Sequence, residues 1–109
     1  NQGVVIKMIE METIRNDLKD IRYYVSRKKV FDANSDFVGV NNITEKLKMY
    51  NDAVCSASPR LYDIYVSLYL NNQTQESLSE ILGYSFQTIS RLNVQLLNHF
   101  YKKLNENVA

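Results

Sequence analysis

Residue types able to do covalent or metal chemistry are few and scattered along these 109 residues. Cys55 is the only cysteine and has no histidine near it in sequence. His99, the only histidine, sits beside Phe100 with no second ligand-type residue at metal spacing. No glycine-rich phosphate loop or nucleophile motif occurs, so catalytic residues, cofactors and a bound metal are not expected. What the chain carries instead is recognition chemistry. From Thr74 to Leu92 it reads TQESLSEILGYSFQTISRL, the spacing of a helix, a glycine corner and a second helix. Gly83 can adopt the positive φ that ends the first helix and Ser85 can cap the second. Leu78, Ile81, Leu82, Ile89 and Leu92 are expected to point inward and lock the pair together. The outer side of the second helix is then free to enter a groove, which makes double-stranded DNA the expected partner.

The scaffold that must hold this corner is expected to be all-α, with about five helices. Only three glycines and one proline occur, and Leu, Lys, Glu, Gln and Ile are spread throughout. With 45% apolar residues the chain can bury a modest single core. A lone cysteine forms no internal disulfide, which fits a reducing compartment, and a cytoplasmic protein is expected. The apolar run Val4-Val5-Ile6 is interrupted by Lys7 and Glu10, too short and too charged for a signal peptide or a membrane span.

Apolar periodicity places the elements. Met11, Ile14, Leu18, Ile21 and Val25 alternate in steps of three and four, predicting a long amphipathic N-terminal helix. This seam is just over two heptads long. It serves either as a homodimer contact or as the face laid on the helix's own domain. Arg15, Asp17, Lys19, Asp20 and Arg22 around it read as a solvated face, and the helix should fade at Arg27-Lys28-Lys29, whose charge complements a helix C-terminus. Residues 31–42 look like a linker anchored by Phe31, Phe37 and Val38. The chain thus divides into 1–42, a helix and linker, and 43–109, a helical domain. Asn42 with Glu45 resembles a capping box for a second helix through Ile43, Leu47, Tyr50 and Val54. Ser58-Pro59 opens a third, continued by Leu61, Ile64, Tyr65 and Leu68 and stopped at Asn71-Asn72. Thr74 caps the fourth, with Glu76 in its first turn. Ile89, Leu92, Leu96, Phe100 and Leu104 carry the fifth close to Asn105.

Charge and aromatics qualify the DNA expectation. Residues 1–30 hold seven basic and four acidic side chains, residues 31–59 two and four, and residues 60–109 four and four. Sequence-independent affinity for DNA comes mainly from Lys and Arg neutralising phosphates, so a neutral reading head should bind weakly on its own. The eight tyrosines include Tyr50, Tyr62, Tyr65 and Tyr69 at helical spacing beside Leu and Ile, a pattern of packing rather than of base stacking.

From Arg60 to Leu104, less than half of the chain, these residues resemble the fourth region of bacterial sigma factors. That family's helix-turn-helix has an acidic first turn, a Leu-Gly-x-Ser corner and a Thr-[Ile/Val]-x-Arg start to its second helix. This sequence has Glu76, Leu82-Gly83-Tyr84-Ser85 and Thr88-Ile89-Ser90-Arg91 at those places, after a helix Leu61–Leu70 like the one preceding the family's motif. With an unrelated helical N-terminal half, the arrangement is similar to small phage late-gene transcriptional regulators of the ArpU-like and RinA-like group. The resemblance implies base-reading positions at Phe86, Gln87 and Arg91, with Ser85, Thr88 and Ser90 near the DNA backbone and Gln95 further along. It also implies RNA polymerase as a further partner. Arg91 can fork to guanine O6 and N7, Gln87 can pair with adenine N6 and N7, and Phe86 can press on a thymine methyl. Phe86 stands where sigma factors usually place a basic residue, and Asn93, Gln95 and Asn98 stand where they place several more.

Each position has a plainer alternative: Phe86 in the core or a protein interface, Gln87 merely solvated, Arg91 paired with an acid such as Glu80. Three functions follow. The first is a promoter-binding transcriptional regulator. The second is a helix-turn-helix-shaped protein-binding module acting on RNA polymerase or another regulator. The third is a structural helical dimer.

Overall fold

Residues 8–28 and 40–106 are described by the computed structural model, and they form an all-α fold. Five helices stand among them: α1 (Met11–Ser26), α2 (Val40–Val54), α3 (Pro59–Tyr65), α4 (Gln75–Leu82) and α5 (Phe86–Leu104). No helix of these residues is long and apolar enough to cross a membrane.

Hydroxyl caps set three of the starts. Ser58 Oγ accepts from Leu61 N at 3.3 Å with Pro59 at the first helical position, Thr74 Oγ1 accepts from Ser77 N at 3.0 Å, and Ser85 Oγ accepts from Thr88 N at 3.1 Å. The second helix departs from its expected start. It begins at Val40, so Asn42 lies inside the first turn instead of capping it, and the expected linker gives up its last three residues. A capping box contributes only about 1 kcal/mol, and Ile43 and Leu47, packed on the core, hold a helix that runs back past it. The linker anchors Phe31, Phe37 and Val38 lie outside the described residues.

The helix α3 runs on into a π-helical turn, Val66–Leu70, which nothing in its residues announces. Asn71 N donates to Val66 O at 2.8 Å and closes the turn, and Asn72 follows with φ 56°. Asn tolerates that left-handed conformation better than most residues.

One core joins all five helices. The central α5 packs against α1, α2, α3 and α4, while α1 lies across the π turn, α2 and α5. Ile14, Leu18 and Ile21, three of the five seam residues, are at most 1% exposed, and Met11 and Val25 pack against the same cluster. The homodimer contact expected through Met11, Ile14, Leu18, Ile21 and Val25 is therefore corrected: the seam is filled by the chain's own α2, α5 and π turn. A seam of two heptads is too short to distinguish a partner helix from an intramolecular one.

Tyrosines dominate the centre. Tyr50 and Tyr65 flank Phe100 edge-on, with ring centroids 5.0 and 5.6 Å away, an arrangement worth about 0.5–1.5 kcal/mol per pair beyond the buried area. Each hydroxyl finds an acceptor: Tyr50 Oη donates to Asp17 Oδ2 at 2.7 Å, Tyr65 Oη to Asn51 Oδ1 at 2.6 Å and Tyr69 Oη to Asn93 Oδ1 at 2.6 Å. Of the four tyrosines expected to pack, only Tyr62 stays exposed.

Candidate functional site

The helix pair at the C-terminal end is built from local rules. Gly83 takes φ 72° and donates its N–H to Ser79 O at 2.9 Å, closing α4. Ser79 Oγ also donates to Tyr84 O, which fixes the three-residue corner before α5 starts. Leu78 from α4 meets Ile89 and Leu92 from α5 in the core. Upstream, Arg22 of α1 holds the approach to α4, donating Nε to Asn72 Oδ1 at 2.7 Å and Nη2 to Gln73 O at 3.3 Å.

On the outward side of α5, Phe86, Gln87, Ser90 and Arg91 come together around one shallow, open depression, with Val94 as its remaining wall. No described residue of α1 lines it. Arg91 is exposed; its Nη2 lies 3.5 Å from Thr88 Oγ1, and it makes no ion pair among the described residues, so the pairing with Glu80 is not formed. Gln87 is exposed beside it. Ser85 and Thr88 are occupied with each other and with the cap, their hydroxyl oxygens 2.9 Å apart. Ser90 is half-buried, and Gln95, although exposed, stands outside the depression. Of the seven expected positions, then, four line one surface, two serve the cap and one stands apart.

Two expectations at the corner are corrected. Ile81 and Leu82 were expected to point inward but are 62% and 44% exposed. At 100° per residue they fall about 60° and 40° to either side of Leu78, and a helix of eight residues buries only a narrow line against α5 and the π turn. With Tyr84, Phe86 at 47% and Val94 at 50%, they leave an apolar surface around the corner. The Arg60 guanidinium lies 5.9 Å from the Tyr84 ring centroid at its edge. Val94 was missed although counting fours from Phe86 through Ser90 reaches it.

The residues of other chemical types, His99 and Cys55, have structural partners. His99 Nε2 lies 3.0 Å from Ala53 O and 3.3 Å from Ser56 Oγ, tying off the end of α2. Cys55 Sγ contacts Asn51 O at 3.2 Å. Among the described residues no three His, Cys, Asp or Glu side chains could share a metal ion. Burial raises the Tyr50 and Tyr65 hydroxyl pKa values far above the usual tyrosine range, helped at Tyr50 by the bond to Asp17 and that carboxylate's charge. Burial pulls the Lys46 ammonium pKa down, but Asp17 and Asp20 together carry it above its ordinary value. These are groups of the core and its rim, distant in role from the outward side of α5. Compared with known protein families, curated proteins and solved structures, the chain matches none of them.

Proposed function

We propose that this chain is a DNA-binding transcriptional regulator, of the small phage or prophage kind, reading promoter DNA with the helix that follows Ser85. The observation that carries this is the corner itself: α4, Gly83 and α5 leave one side of α5 uncovered by α1, with Gln87 and Arg91 a turn apart upon it. The likeness of Leu82–Ser85 and Thr88–Arg91 to the sigma-factor motif supports the same side. In a major groove an arginine and a glutamine make bidentate contacts with guanine and adenine, each worth about 1–3 kcal/mol of discrimination. The test is a selection of duplexes from a randomised pool followed by mobility-shift titration. Arg91→Ala and Gln87→Ala are expected to weaken binding to the selected duplex and to relax its sequence preference. Undiminished binding by both variants excludes this surface as the reader.

A second reading has its own observation. The exposed Ile81, Leu82, Tyr84 and Phe86 suit a protein-binding module that touches RNA polymerase or another regulator. That reading predicts no duplex affinity at any salt concentration and a complex with purified polymerase that is lost in Phe86→Asp.

A further inference from the structure

Past Glu12 in its first turn, the charges of α1 are sorted by side. Asp17 and Asp20 are engaged by α2: Tyr50 Oη donates to Asp17 Oδ2 at 2.7 Å, and Lys46 Nζ lies 3.4 Å from both carboxylates. Arg15, Lys19 and Arg22, at steps of four and three, form a row along another edge. Two shallow depressions meet on this row and share Lys19 and Arg22. The first adds Arg15 and reaches Tyr69, Asn93 and Leu97, and the second ends at Arg27. No acidic residue lines either one. Arg15 and Lys19 make no ion pair among the described residues. Asn93 accepts from Tyr69 through Oδ1, which leaves its Nδ2 without a partner among them.

The position of this row relative to α5 gives it a use. At 100° per residue Asn93 lies within about 20° of Phe86 around the helix and Leu97 within about 20° of Ser90, whereas Gln87 and Arg91 stand about 120° and 160° from Asn93. Asn93 is also about 10 Å further along the axis than Phe86, a distance comparable to the width of about 12 Å of a major groove. The row therefore stands to the side of the direction in which Gln87 and Arg91 point, where a duplex that takes the first turns of α5 into its groove would carry a flanking strand.

We infer that this row is the phosphate-binding flank of the DNA interface, supplying from α1 the positive charge that the neutral C-terminal half lacks. The inference rests on α5 being the DNA-reading helix. Arg22 is partly committed to the Asn72 loop, so Arg15 and Lys19 carry most of the phosphate contact. Phosphate contacts raise affinity for all sequences alike, whereas base contacts select among them.

The experiment uses the full chain and a fluorescent mixed-sequence DNA duplex, with anisotropy titrations from about 50 to 200 mM salt. The double variant Arg15→Gln/Lys19→Gln is expected to bind every duplex more weakly and to flatten the slope of log affinity against log salt by about 1.8, which is 0.9 per phosphate lost. Its melting curve should match the wild type, and the charge-conserving Arg15→Lys/Lys19→Arg should restore the slope. Arg91→Ala should instead change which duplexes bind best. A double variant that keeps the wild-type affinity and slope overturns the flank while leaving α5 as the reader. A wild-type chain that binds no duplex even at low salt overturns both. Unchanged DNA binding combined with loss of an acidic protein ligand also overturns the flank, and assigns the row to a protein surface.

Discussion

Helices α1 and α5 are both amphipathic and bury one side in the same core, yet their exposed sides are opposites. The first turns of α5 offer apolar and neutral groups outside the core, Phe86, Gln87 and Val94, with Arg91 as the single charge of that depression, and Lys102 and Lys103 stand only in its last turn. The exposed edge of α1 offers Arg15, Lys19 and Arg22 with no acid among the lining residues. Selectivity needs shaped contacts with few charges, and affinity for a polyanion needs charges with little shape. Reading composition segment by segment made the C-terminal half look too neutral for DNA. The fold brings Arg15, Lys19 and Arg22 of α1 beside Asn93 and Leu97 of α5.

The inner sides of the two helices should give the largest effects. Leu18→Asp places a charge where the side chain is 1% exposed, and a cost above about 3 kcal/mol is expected. Chemical denaturation should find the variant largely unfolded; a folded variant of reduced mass would instead restore the dimer seam. Alkaline pH tests the aromatic centre that both helices cover. The native pKa values of Tyr50 and Tyr65 are raised, so the unfolded chain loses protons first. Stability should hold below the ordinary tyrosine pKa near 10 and fall above it by about 1.4 kcal/mol per pH unit for each of the two. Tyr50→Phe should lessen that slope, as followed by denaturant midpoints across the range.

At the corner, Gly83→Ala should cost about 1–2 kcal/mol, the strain of a left-handed alanine. Nothing lies within 4 Å of the added methyl, so a thermal melt reads the backbone conformation alone. Smallest of all is Phe86→Ala, expected to change stability by less than about 0.5 kcal/mol because the ring is half exposed. A large loss would mean that Phe86 belongs to the core and would remove it from the recognition surface.

Features decided by neighbouring residues were legible in the sequence. Ser58, Thr74 and Ser85 cap helices and Gly83 turns the corner because each acts within three or four residues of itself. Most inward residues of α5 were equally legible, since nineteen residues repeat the period enough times to define a side, although Leu97, also buried, lies one step off that repeat. Ile81 and Leu82 were misplaced because α4 is too short for its period to say how wide a line is covered. The π turn at Val66–Leu70 escaped because no proline or glycine marks it. Burial of the α1 seam and the direction of its basic row depend on where α1 docks, which is a long-range choice that periodicity does not encode. Four of the candidate residues converge because they follow from the start of α5 at Phe86, while Gln95 lies past the edge that the same spacing defines.

Chemical-shift mapping of the isotope-labelled full chain, titrated with a selected DNA duplex, tests the central claim most directly. The account predicts that saturable shifts concentrate on the amides and side chains of Phe86, Gln87, Ser90, Arg91 and Val94. A saturable complex that leaves those five signals unmoved, or moves only Ile81, Leu82 and Tyr62, contradicts it.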